Sequence, residues 1–264
     1  MTDAPGLVVE PDGAVLRVRL DRPERRNAID LDTCRALTRT VRDAAADRSV
    51  RAMVITGTGR DFCTGAEAGA SNEAIAEDGP LDYRWRTADY NDLFLTLWDT
   101  ELPVVSAVNG TVAGAGFLLA LLGDLVVAAE GARWTHVFTR RGMIPHAGDP
   151  YFMPRLLPLH RLAELALLSD AVTSETLREW GAVNRVVPAD AVLDTAMALA
   201  QRLAQGPTRS LGMTKRLYRR SLDSDVVTAF EEERAALGLI STTSDRLEGI
   251  RSFVEGRPPE FTGT

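Results

Sequence analysis

The sequence predicts an α/β fold that passes into a helical C-terminal region, on three observations. Strand-like and helix-like stretches alternate as far as about Val187. Glycines cluster where an apolar strand run, residues 103–108, passes into an apolar helix through residues 109–120. From Asp190 the pattern is nearly all helical, broken by Pro207 and closed by Pro258 and Pro259. The chain therefore divides into a core over residues 1–189 and a helical region over residues 190–264.

Each element has its own signature. In residues 14–20, Ala14, Leu16, Val18 and Leu20 alternate with Arg17 and Arg19, giving a strand with one buried face. A polar loop, residues 21–27, follows. Asp30 is placed to cap a helix whose apolar stripe is Leu31, Cys34, Leu37, Val41 and Ala45. Residues 51–56 read as a buried strand and 57–61 as a turn, and Phe62 to Ala66 forms a first glycine-bearing junction. Residues 71–80 are small, polar and acidic, which predicts a mobile loop. A helix is expected over 82–101, a strand over 124–129 and an irregular loop over 142–150. In the last quarter, Phe230, Leu237, Leu239, Ile240 and Phe253 need burial against the core or a neighbouring subunit.

Composition narrows the function. The 264 residues are 45% hydrophobic and 25% charged, ordinary for a globular protein. A net charge of −7 disfavours nonspecific nucleic-acid binding, and no apolar run reaches the length of a membrane span. The first residues show neither a basic n-region nor an apolar h-region, and Cys34 and Cys63 suit a reducing compartment, so a cytoplasmic location is expected. Three histidines without CxxC or HExxH give no metal site.

The glycine passage, Asn109-Gly110-Thr111-Val112-Ala113-Gly114-Ala115-Gly116, leaves backbone N–H groups unpaired at a helix start. Such a place attracts an anion or a charge that develops during reaction. A dinucleotide turn is disfavoured, because Leu119 occupies the third glycine position of GxGxxG. Neither GxxxxGK[ST] nor GxSxG occurs.

Five motifs in register resemble the crotonase (enoyl-CoA hydratase/isomerase) superfamily over nearly the whole chain. They are Leu20-Asp21-Arg22-Pro23-Glu24-Arg25-Arg26-Asn27-Ala28, Phe62-Cys63-Thr64-Gly65-Ala66-Glu67, the Asn109–Gly116 passage, Pro154-Arg155-Leu156, and the ending from Glu248-Gly249-Ile250-Arg251-Ser252-Phe253 through Arg257, Pro259 and Phe261. The resemblance implies a spiral of ββα units, a C-terminal helical trimerisation region and a homotrimer, often doubled to a hexamer. It implies an acyl-CoA or related thioester as substrate, with coenzyme A entering only as part of that substrate and no other cofactor. It assigns the backbone N–H groups of Ala66 and Ala115 to an oxyanion hole, with Gly65 and Gly114 shaping the two turns. Either turn alone reads equally well as a tight turn; the pair favours the hole.

The departures from the family shape the expected chemistry. Hydratases carry glutamates at the positions of Leu118 and Phe138, one to activate water and one to supply a proton. Neither side chain here does so, and both are expected to dry and narrow the acyl pocket. The resemblance therefore points away from hydration, toward isomerisation, C–C cleavage or hydrolysis. Several superfamily branches place a catalytic acid or tyrosine at the loop position of His146, making it the candidate general acid or base. Asp149 orients His146, acts directly, or caps the helix beginning near Pro150. His136 faces the pocket or, the more expected reading, the surface, and His160 reads as a helix-start or surface residue.

The remaining residues are read as follows. Cys63 lacks a partner base and reads as packing, and Glu67 reads as a structural hydrogen-bonding group. Trp85, Tyr90 and Trp98 line an acyl pocket or belong to the core. By resemblance, Arg25, Arg26 and Ala28 lie on the loop that contacts coenzyme A. Gly256 replaces a common family lysine, which Arg257 is positioned to substitute. Two further readings stand beside the enzyme: a non-catalytic acyl-CoA-binding homologue, and a CoA-independent diketone hydrolase.

Overall fold

The computed structural model describes residues 5–67 and 87–264. The expected loop over 71–80, and Trp85, lie outside the described residues. Strands β1 (Leu7–Asp12) and β2 (Val15–Leu20) form a hairpin. Helix α1 (Leu31–Ala46) follows, with the Asp30 carboxylate accepting the Thr33 N–H at 2.8 Å as its cap. Its buried stripe runs through Cys34, Leu37, Val41 and Ala44; Ala45 lies outside it.

Next come β3 (Ala52–Gly57), β4 (Asp61–Cys63), α2 (Ala88–Asp99), β5 (Val104–Val108), β6 (Thr111–Ala113), α3 (Ala115–Leu121), β7 (Leu125–Ala129) and β8 (Arg133–Thr135). Of the helix expected over 82–101, residues 82–86 lie outside the described residues; α2 begins after Thr87 and ends where Thr100 turns extended. Each ββ pair sends one strand to each of two sheets. The large sheet has the order β1-β2-β3-β5-β7-β10 and the small one β4-β6-β8-β9, with β9 (Val172–Thr173) and β10 (Arg185–Val187) closing them. Beyond the hairpin and the β8–β9 pair, the pairings are parallel. This is the expected spiral: every turn stacks a new strand on each sheet.

Alternation along the large-sheet strands makes two apolar layers. Met53, Ile55, Val104 and Val126 face α1, α2 and α3. Val54, Val105, Ala107 and Val127 face Ala196, Met197 and Ala200 of α7 (Val192–Ala204). Before α7 lie α4 (Asp149–Leu156), α5 (Leu159–Leu168) and α6 (Ser174–Glu179). After it come α8 (Thr208–Ser221), α9 (Val226–Ser241) and α10 (Ser244–Glu255). Helix α8 is pinned to the core by Lys215 and Arg219, which reach the Asp124 carboxylate at 2.8 and 2.9 Å. Among the described residues no helix is long and apolar enough to cross a membrane.

Candidate active site

The two glycine-bearing junctions lie against each other because β4 and β6 are neighbours in the small sheet. After β4 the chain turns at Gly65, with φ of +99°, where a side chain is strained. A Cβ there would sit 2.9 Å from the Ala113 carbonyl oxygen and 3.2 Å from the Ala115 nitrogen. Ala66 is held edge-on by a parallel bridge to Ile29: the Ile29 N–H donates to Gly65 O at 2.8 Å, and the Glu67 N–H donates to Ile29 O at 3.0 Å. After β6, Gly114 has φ of +52°, its N–H donates to Thr135 O at 3.2 Å, and Ala115 opens α3. Among the described residues, no backbone acceptor takes the N–H of Ala66 or of Ala115. Among the described residues, two donors without a backbone acceptor thus stand on adjoining turns.

Leu118, one turn into α3, is buried, as is Phe138 just beyond β8. Cys63 is fully buried, and burial pushes its thiol up to about 12, so it packs rather than reacts. Tyr90 donates its hydroxyl to Ile29 O at 2.8 Å, bracing the strand beside Ala66. Trp98 stacks on Phe152 of α4, with ring centroids 5.1 Å apart, and so belongs to the core.

The histidines are distributed differently from the sequence reading. His146 is half-buried, with Nδ1 3.1 Å from Ile144 O and its ring 5.1 Å from that of Phe138. His160 is exposed, as expected. His136, expected at the surface, is fully buried, because it follows β8 on the same inward side as Trp134. Its Nε2 lies 2.8 Å from Asp149 Oδ2. Asp149 therefore neither caps α4 nor pairs directly with His146: it is the first residue of that helix, Gly148 is the N-cap, and its carboxylate points back to His136. The spacing of 13 residues between His136 and Asp149 carried no local signal for this pairing.

A cleft of about 490 Å³ opens beside the first turn, lined by Arg25, Arg26, Ala28, Ala66, Arg140 and Arg141 among others. Arg25 is exposed, with Nε 3.7 Å from Glu67. Arg26 forks onto the buried Asp61, donating at 3.1 and 2.9 Å, and it holds that carboxyl below the usual range. Its charge is thus already partnered. Arg22 and Asn27 were missed by sequence reasoning. Arg22 ties Ala28 O and Glu67, and Asn27 bridges the Thr58 and Asp61 carbonyls, so together they set the loop's shape. Arg140 and Arg141 were also missed, although a basic pair following Phe138 and Thr139 is legible in the sequence. Arg257 does not substitute for the family lysine in a free state; it forks onto Glu248 at 2.6 and 3.0 Å.

Comparison with known proteins accounts for this arrangement. The family model described as enoyl-CoA hydratase/isomerase matches residues 10–264. The chain belongs to the enoyl-CoA hydratase/isomerase family. It is 34% identical over 251 residues to the 1,2-epoxyphenylacetyl-CoA isomerase of Escherichia coli, covering 94% of this chain and 95% of that one. It is 33% identical over 261 residues to the 2,3-dehydroadipyl-CoA hydratase of the same organism, covering 97% and 98%. An enoyl-CoA hydratase structure from Polaromonas sp. JS666 superposes with a TM-score of 0.91 at 27% identity, over 97% of this chain and 99% of that one. This enoyl-CoA hydratase/isomerase family enzyme thus keeps the family's fold, with leucine and phenylalanine at positions 118 and 138.

Proposed function

We propose that this protein stabilises the enolate of an acyl-CoA or related thioester, and that it isomerises or cleaves its substrate rather than hydrating it. The observation that carries this reading is the pair of N–H groups, Ala66 and Ala115, without a backbone acceptor among the described residues, together with buried apolar side chains at positions 118 and 138. Donors of this kind each lower a developing oxyanion by about 3 kcal/mol. Hydration needs a water-activating base and an acid near the enoyl carbons, and neither buried position supplies one.

In this reading His146 takes a proton from the α-carbon. The C–H electron pair enters the thioester carbonyl, whose oxygen is held by Ala66 and Ala115. Return of that proton to the γ-carbon completes a double-bond shift with no net change in atoms. Gly65 and Gly114 keep the turns close enough to share one oxygen. Arg25, Arg26 and Ala28, joined by Arg140 and Arg141, border the cleft for the coenzyme A portion. Exposed Phe230, Leu237, Leu239, Phe253 and Val254 on α9 and α10 support a homotrimer or a hexamer of paired trimers. The two buried, unpaired cysteines suit the cytoplasm.

The test is α-proton exchange. A panel of enoyl-, β-keto- and malonyl-type CoA thioesters is incubated with the protein in D₂O and read by mass spectrometry. Deuterium at the α-carbon is expected for at least one thioester, with His146→Ala lowering the rate by about 10²–10⁴-fold. Binding without exchange would replace this reading with the non-catalytic one, and rapid hydration would overturn the reaction assignment.

A further inference from the structure

We propose that His136 and Asp149 are positioning residues, whose buried hydrogen bond fixes the His146 loop against the second oxyanion turn. The inference rests on the reading of His146 as the proton-transfer group. It goes beyond that reading because neither His136 nor Asp149 touches His146 through a side chain.

A continuous chain of hydrogen bonds links the two parts. The Gly114 N–H, next to Ala115, donates to Thr135 O at 3.2 Å. The next residue, His136, is locked at its backbone by Ser169, whose hydroxyl donates to His136 O at 2.9 Å. Its Nε2 meets Asp149 Oδ2 at 2.8 Å, and the Asp149 N–H donates to His146 O at 3.2 Å. Aromatic packing follows the same route. The Phe138 ring makes edge contacts with both histidines, 4.9 Å from His136 and 5.1 Å from His146, and Phe117 of α3 meets His136 edge-on at 6.0 Å.

Two features show that the anchor acts on the loop. Between His146 and Asp149 the backbone is left-handed twice, at Ala147 (φ +58°) and Gly148 (φ +88°). An L-residue such as Ala147 is held there only when its surroundings over-determine it. A side chain at Gly148 would meet Phe152 at 2.5 Å, so the second position requires glycine. The other feature is the ring itself: among the described residues His136 Nδ1 is buried with no hydrogen-bond partner. Asp149 is therefore the ring's single polar tie, and removing it frees the imidazole and the start of α4 together. Buried partners that orient metal-bound histidines matter by about 10–100-fold, and a loss of that order is the expectation for this pair.

The experiment is a double-mutant cycle in the exchange assay on the full-length protein. Asp149→Ala is expected to lower kcat by about 10–100-fold with KM within about threefold. Asp149→Asn, which still presents an oxygen to Nε2–H, is expected to recover most of that loss. In the His146→Ala background, Asp149→Ala should add less than about a twofold further loss, because the pair acts through the residue already removed. If Asp149→Ala folds poorly, Ser169→Ala reports on the same linkage. It removes the hydroxyl that donates to His136 O without touching the buried pair, and should lower kcat only when His146 is present. Additive losses, or full activity in Asp149→Ala or Ser169→Ala, would overturn the positioning role while leaving the enolate reading standing. Wild-type exchange in His146→Ala would overturn both.

Discussion

Gly116 offers the sharpest test of how the fold sets the spacing of the Ala66 and Ala115 N–H groups, the proposed oxyanion donors. It is the second residue of α3, and a Cβ built on it lies 2.2 Å from the Cys63 carbonyl oxygen and 2.9 Å from the carbonyl carbon. Both atoms belong to β4 backbone, so no side chain can rotate away to make room. Ordinary contact begins near 3.4 Å, so Gly116→Ala must push α3 and β4 apart by about 1.2 Å, the difference between those distances. Ala115 rides on α3 and Ala66 follows β4, so the displacement falls directly between the two donors. A misplacement of about 1 Å in a catalytic arrangement costs roughly 10²-fold, equivalent to about 2.7 kcal/mol of transition-state stabilisation. Overpacking of this kind also costs about 1–3 kcal/mol of stability. The assay is α-proton exchange per folded molecule, with the folded fraction followed by circular dichroism during urea unfolding. A stable Gly116→Ala protein that exchanges within threefold of wild type would refute the claim that α3 and β4 must touch for the donors to converge.

Three further outcomes follow from the same structure. Leu118→Glu alone should not create a hydratase, because position 138 still lacks an acid. Placing a carboxyl at this buried site should cost about 2–4 kcal/mol in urea unfolding, and fast hydration of crotonyl-CoA would contradict the two-acid argument. Burial, with Arg219 adding to it and Asp124 opposing, lowers Lys215 from 10.5 to about 8. The folded state thus releases a proton that the unfolded chain keeps between those pH values. The resulting stability is present above 10.5 and lost as pH falls through about 8. Relative to Lys215→Met, wild type should gain on the order of 2–3 kcal/mol between pH 7 and pH 10.5; a flat difference in unfolding free energy would refute it. Phe253 is 87% exposed on α10, so Phe253→Asp should shift the protein to monomer in light scattering with its helicity intact, and an unchanged mass would argue against this face as the subunit contact.

The fold was legible because its signals are local. Alternation in residues 14–20, the Asp30 cap and the paired glycine junctions each act within a few residues, and each appears where the sequence places it. The convergence of the two junctions was legible for a different reason. It came from the family resemblance, which pairs Ala66 with Ala115; the sequence spacing alone leaves each glycine junction readable as a tight turn. What escaped was chemistry whose partners are distant in sequence. Asn27 reads as a loop asparagine until the Thr58 and Asp61 carbonyls arrive beside it. Arg26 reads as a free cation until Asp61 takes it.

His136 and Asp149 show the same limit with the largest consequence. Proline at 150 made a helix cap the natural role for Asp149, since local capping needs no tertiary contact. The pairing wins because His136 is carried inward by strand alternation, and a fully enclosed imidazole needs a polar partner. The start of α4 does not need the carboxylate: Pro150 has no N–H, and the N–H groups of Asp149, Tyr151 and Phe152 already donate to His146 O and Gly148 O. Burial therefore decides which of two reasonable partners an aspartate takes. In this family member that choice joins the residue after β8 to the loop bearing His146, so the part of the site least visible in the sequence is the part that connects its two halves.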